Sequence, residues 1–129
     1  MTPVQFMVAA VRARIENLTP AQVAAELDDP FVLLVDVREP GETAYGVIPG
    51  AALVPRGMLE FHADHGSPYR VEGFVPGRRV ILYCSVGSRS ALAVRSLQEF
   101  GYRDVAHLDG GLNAWIGEGR PMTGPITAR

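Results

Sequence analysis

Two apolar runs constrain this chain more than any other feature in it. Phe31-Val32-Leu33-Leu34-Val35-Asp36-Val37 and Arg79-Val80-Ile81-Leu82-Tyr83 are nearly continuous rather than alternating. A strand with one wet face alternates apolar and polar residues. A strand covered on both faces does not, and such strands belong to parallel sheets lying between layers of helix. A third strand, Asp104-Val105-Ala106-His107-Leu108, and a short one, Ala51 to Val54, join them, with helical patterns in between. The expectation is an α/β fold on a parallel sheet.

The helices follow from spacing and caps. Val4, Met7, Val8, Val11 and Ile15 recur at helical spacing behind Pro3, so residues 2–16 are expected to form one helix, packed on its own domain in preference to a dimer contact. Thr19 caps a second, with Pro20 first, Gln22 as reciprocal partner and an end near Leu27. A short helix follows Arg38-Glu39-Pro40-Gly41-Glu42, and another covers 56–64. Gly66 to Gly77 is polar and reads as a loop. Ala93, Val94, Leu97 and Phe100 mark a long helix that Gly101 stops. Asp109-Gly110-Gly111 opens a last helix, 112–117, and the tail from Gly119 is expected to fray.

Ligands of open α/β sheets bind beyond the carboxyl ends of the strands. Three segments sit there: Asp36-Val37-Arg38, Cys84 to Ser90, and Asp109-Gly110-Gly111. They are expected to converge on one face. The middle one holds the only cysteine in 129 residues, between a buried strand and a helix N-terminus. Loop N–H groups and the helix dipole favour negative charge there, hence the nucleophilic thiolate. Gly87 permits the positive φ of a tight curl, Ser88 or Ser90 can cap the helix, and Arg89 places a fixed charge at the rim, suited to an oxyanionic donor. A free cysteine is most often a small core residue, but one at a strand end before a Gly/Ser loop fits that role less well.

Composition excludes several classes. A net charge of −2 disfavours nucleic acid as a partner, and no segment approaches a membrane span. One cysteine forms no intramolecular disulfide, and Phe6 to Val11 is too short and wrongly flanked for a secretory signal. A soluble, reducing, cytoplasmic setting is expected. All twelve basic residues are arginine, which removes lysine from any catalytic role. His62, Asp64 and His65 cluster, but at a polar helix end they read as surface residues, so no metal site and no cofactor are expected. His107 is expected to be a hydrogen-bonded core or edge residue, and Trp115 a core residue. Arg56 is a candidate for the rim.

Four segments in order carry a resemblance. Asp36-Val37-Arg38-Glu39-Pro40-Gly41-Glu42, Gly46-Val47-Ile48-Pro49-Gly50-Ala51, the Cys84 loop, and Leu108-Asp109-Gly110-Gly111-Leu112-Asn113-Ala114-Trp115 together resemble the rhodanese family of sulfurtransferases in its single-domain form. The similarity covers residues 18–121, leaving 1–17 as an N-terminal helical extension and 122–129 as a tail. It implies a three-layer sandwich around a mostly parallel five-stranded sheet. It also implies a persulfide on Cys84, with sulfur taken from a donor such as thiosulfate and passed to cyanide, a thiol or a protein. The N–H groups of Ser85, Val86, Gly87, Ser88, Arg89 and Ser90 then hold the persulfide. Asp36 and Asp109 are expected to be buried braces of the site, and Arg38 to brace the fold by pairing with Glu42. One departure is Val47, where the family usually has a histidine.

Other functions remain in view. Cysteine phosphatases and arsenate reductases of the same fold have five residues between cysteine and arginine. Here four separate Cys84 from Arg89, and Ser90 stands where their arginine would be. A loop one residue shorter suits a sulfur atom better than a phosphate. A non-catalytic module is the other class, but inactive relatives commonly lack the cysteine. A sulfur-carrier role with a protein acceptor stays open.

Overall fold

The computed structural model describes residues 1–124. Within them five strands form one sheet: β1 (Glu16–Leu18), β2 (Leu33–Asp36), β3 (Ala52–Leu53), β4 (Val80–Tyr83) and β5 (Val105–Leu108). Their spatial order is β1-β5-β4-β2-β3, and all four pairings are parallel. The two apolar runs are therefore neighbours at the centre, β2 beside β4. Every residue of β4 and β5 is buried, which explains why neither alternates.

Among the described residues six α-helices accompany the sheet: α1 (Pro3–Arg12), α2 (Pro20–Glu26), α3 (Pro40–Thr43), α4 (Leu59–Ala63), α5 (Ser88–Glu99) and α6 (Gly111–Gly117). Successive strand residues point to opposite faces. Val35, Leu82 and Val105 meet Leu59, Ala93, Val94 and Leu97 of α4 and α5 on one side. Leu34, Ile81, Ala106 and Leu108 meet Val23 of α2 and Leu112 and Trp115 of α6 on the other. Two cores on one sheet make the three-layer α/β sandwich.

Local chemistry fixes the ends. Thr2 with Gln5 and Thr19 with Gln22 each form a full capping box, and a Thr→Ala change at such a cap costs about 1 kcal/mol. Arg79 leads into β4 and clamps three elements: Glu26 after 2.7 and 2.8 Å bonds, Glu16 of β1 at 2.7 Å, and Asp104 before β5 at 2.9 Å. In the long loop, Phe74 is fully buried and packs edge-on against Tyr102, so that loop is anchored from within.

The helix expected over 2–16 ends at Arg12, and Glu16–Leu18 forms the edge strand beside β5. Ile15 keeps helical spacing but packs on the core from a bend. A three-residue edge strand has no alternation to read; its partner defines it. Helix α1 packs against α5 and buries Val11, while Val4, Phe6 and Met7 stay exposed. The tail is ordered further than expected. Thr123 pairs with Val47 in an antiparallel bridge, Met122 packs on the core, and Trp115 Nε1–H donates to Pro121 O at 2.9 Å. The part of the tail at 125–129 lies outside the described residues.

Candidate active site

The carboxyl ends of β2, β4 and β5 come together, as the parallel topology requires. Cys84 follows β4 directly and is fully buried. Two main-chain N–H groups point at its sulfur, from Gly87 at 3.2 Å and Ser90 at 3.4 Å. Gly87 is the N-cap of α5 and Ser90 lies in its first turn, so both donors are ones the helix leaves unpaired. A 12-residue helix thus aims its positive end at the thiol.

Glycines make the curl possible. Gly87 has φ 106°, so it caps by backbone conformation, and neither Ser88 nor Ser90 serves as the N-cap. Gly111 has φ 60°, and a Cβ there would lie 2.5 Å from Ser85 O and 2.7 Å from Cys84 O. That close approach lets Leu112 N–H donate to Cys84 O at 2.8 Å and Asn113 N–H to Ser85 O at 3.0 Å. The Gly110-Gly111 pair is therefore the abutment of the Cys84 loop.

On the opposite side, α3 reaches the loop through Glu42. Its carboxylate takes both arms of Arg89, at 2.7 and 2.9 Å, and the Ser85 hydroxyl at 3.1 Å. Arg89 first, with Glu39 N–H and Ser85, holds the Glu42 carboxyl down to about 2. The Arg89 guanidinium is raised chiefly by Glu42, with a smaller contribution from Cys84. The fixed positive charge expected at the rim is paired with a carboxylate.

The flanking acids differ from expectation in one case. Asp36 is fully buried and accepts from Arg38 N–H at 2.9 Å and from its guanidinium at 2.8 Å. Arg38 braces the fold, but through Asp36 and Gly46 O at 2.7 Å, touching only the main-chain carbonyl of Glu42. Its expected partner, the Glu42 carboxylate, is already taken by Arg89. Asp109 is not a buried brace: it is 41% exposed and pairs with Arg12 of α1 at 2.6 Å. The reason is its place after β5, where the chain has turned outward beside α1.

The family model for the rhodanese-like domain matches residues 19–118. The chain belongs to the rhodanese-like family. A sulfurtransferase of Allochromatium vinosum is 36% identical over 111 residues, covering 86% of this chain and 94% of that one. Among solved structures, a Rhodopseudomonas palustris protein of unknown function, described as a possible tyrosine phosphatase, superposes with TM-score 0.87 at 37% identity, covering 95% and 96% of the two chains. The homodimeric polysulfide-sulfur transferase of Wolinella succinogenes gives 0.75 at 28% identity over 92% and 85%. Family and relatives together support sulfur transfer as the general class of chemistry.

Within this rhodanese-like site, sequence reasoning missed a line of polar groups behind the cysteine. His107 is fully buried on β5. Its Nδ1 lies 2.8 Å from Ser90 Oγ and its Nε2 2.7 Å from Asn17 Oδ1. Ser90 Oγ in turn accepts from the Cys84 thiol at 3.6 Å. The only signal in the sequence is a histidine in a largely apolar strand, and its partner Asn17 lies just past the helix expected over 2–16, at the end of the N-terminal extension. The remaining candidates make other contacts. Arg56 pairs with Glu60 at 2.9 Å and Ser96 at 2.9 Å, Trp115 is core, and the His62 ring bonds Tyr69 O at 2.7 Å. Val47, where the resemblance leads to the expectation of a histidine, is an apolar, buried residue held by the Thr123 bridge. Among the described residues no helix is long and apolar enough to cross a membrane.

Proposed function

We propose that this protein takes sulfane sulfur from a donor such as thiosulfate onto Cys84 and hands it to a thiophilic acceptor: cyanide, a small thiol or a protein thiol. The Cys84 thiolate attacks the outer sulfur of the donor. The S–S bond breaks, sulfite leaves with the electron pair, and a Cys84 persulfide remains. The N–H groups of Ser85 to Ser90 then face the new anionic sulfur, as backbone groups around an anion do. An acceptor nucleophile takes the outer sulfur, and the electron pair returns to Cys84. A reducing cytoplasm suits a single catalytic thiol.

The observation that carries this reading is the convergence of the Gly87 and Ser90 N–H groups on the sole cysteine. The likeness to a possible tyrosine phosphatase raises a second reading. Against it stands the short loop: four residues separate Cys84 from Arg89, and the next position is Ser90, whose hydroxyl turns inward to His107. A tetrahedral oxyanion finds no guanidinium at that position. The discriminating experiment feeds the protein thiosulfate plus cyanide, and separately p-nitrophenyl phosphate. Thiocyanate and sulfite release without p-nitrophenol supports sulfur transfer; efficient p-nitrophenol release with no thiocyanate rejects it.

A further inference from the structure

We propose that Ser90 and His107 form a proton relay that deprotonates Cys84, with Asn17 fixing its direction. The proposal rests on the sulfur-transfer reading for its purpose, though not for its geometry.

The direction follows from donors and acceptors. Asn17 Nδ2 donates to Arg12 O at 2.9 Å and to Ile15 O at 3.1 Å, so Oδ1 is the amide atom left facing the ring. An acceptor at Nε2 requires that Nε2 carry the hydrogen. In the neutral ring Nδ1 is then an acceptor. Ser90 Oγ–H has two acceptors in reach, Nδ1 at 2.8 Å and Gly87 O at 3.2 Å, and the nearer is Nδ1. With its proton committed there, Ser90 Oγ accepts the Cys84 S–H. The chain of donors runs Cys84 to Ser90 to His107 to Asn17 without a break.

One concerted shift uses this chain. The Cys84 S–H bond breaks and its proton goes to Ser90 Oγ. The Ser90 hydroxyl proton passes to His107 Nδ1. Ser90 ends as a hydroxyl, now donating to a thiolate, and His107 as an imidazolium. No electrons are exchanged and no co-reactant is needed. When the acceptor removes the outer sulfur and the electron pair returns to Sγ, the proton runs back. Ser90 touches the reacting sulfur; His107 and Asn17 are positioning residues acting through it.

The surroundings keep the His107 ring neutral at rest, so that Nδ1 is free to accept. Burial pushes His107 down to about 4, with Asp109 pulling it up and Arg12 down from the α1 side. The other groups facing the ring are Ser90 on α5 and Asn17 on β1, both uncharged. An imidazolium there is sustained only while the sulfur is anionic, which ties proton position to sulfur charge.

The test reads Cys84 directly, because it is the only cysteine. Iodoacetamide alkylation is followed from pH 5 to pH 9, beside thiosulfate loading by intact mass. Ser90→Ala is expected to slow alkylation about tenfold at pH 7 and move its midpoint up, the scale of one charge-assisted hydrogen bond. Asn17→Asp adds a carboxylate behind the ring and is expected to speed alkylation several-fold at pH 6, an effect that disappears in the Ser90→Ala background. Because Asn17 is exposed, the single variant still reads the relay if Ser90→Ala does not fold, since a carboxylate acting on the sulfur through space would slow alkylation instead of speeding it. Unchanged pH profiles, or an Asn17→Asp effect that survives without the Ser90 hydroxyl, overturn the relay. Thiosulfate loading with an unresponsive profile rejects the relay alone. A responsive profile with no loading by any sulfane donor keeps the relay and rejects sulfur transfer.

Discussion

Glu42 holds Arg89 with both carboxylate oxygens, at 2.7 and 2.9 Å, across the mouth of the Cys84 loop. The pair joins α3 to α5 and neutralises the rim. On the proposed function, an anionic sulfur donor would meet a compensated charge, not a bare guanidinium.

That compensation makes a prediction of opposite signs. Glu42→Gln frees the Arg89 charge and is expected to lower KM for thiosulfate several-fold. Arg89→Ala leaves the Glu42 carboxylate on the Cys84 loop without its countercharge and is expected to raise KM about tenfold, the scale of one unscreened charge contact at a partly buried site. Steady-state kinetics at low salt measure both. Changes of the same sign in the two variants contradict the account.

Gly111 is predicted to be as sensitive as the cysteine loop it supports. Gly111→Ala drives a Cβ into the carbonyls of Cys84 and Ser85 at a positive φ. Two main-chain carbonyls must move away, so the expected cost is roughly 2–4 kcal/mol together with most of the sulfur loading. Urea unfolding and intact mass check the two parts. A variant of native stability and full loading contradicts the abutment role.

Acid stability follows from two groups in different windows. His107 has its usual value, 6.5, in the unfolded chain and about 4 in the folded one. Between those values the unfolded chain binds the extra proton, so stability falls as pH drops from 6.5 to 4, by up to about 3 kcal/mol. Glu42 is lowered from 4.5 to about 2, so its contribution is present above 4.5 and is lost as pH falls toward 2. Thermal melts at pH 7, 5.5 and 4.5 are expected to show a decline that starts before ordinary carboxylates titrate. His107→Gln is expected to flatten that first decline. A wild-type melting temperature constant from pH 7 to 5 contradicts it.

What the sequence made legible was whatever is written locally. The continuous runs at 31–37 and 79–83 named central parallel strands because burial on both faces removes alternation. The Thr19 capping box and the Gly101 stop are local hydrogen-bond chemistry, and both sit where expected. The Cys84 loop was legible because a strand end, a glycine and a helix start fix its curl. Contacts set by tertiary placement were not. β1 exists through β5, the Glu42–Arg89 pair joins residues 47 positions apart, and His107 meets Asn17 across 90. Asp109 illustrates the same limit, since the helix that draws it outward is 97 residues earlier.

The most direct test of the central claim is the intact mass of the protein after incubation with thiosulfate and removal of excess donor. The account predicts a gain of one sulfur atom, reversed by cyanide and absent in Cys84→Ala. No gain with thiosulfate or any other sulfane donor, or a gain that persists in Cys84→Ala, would contradict it.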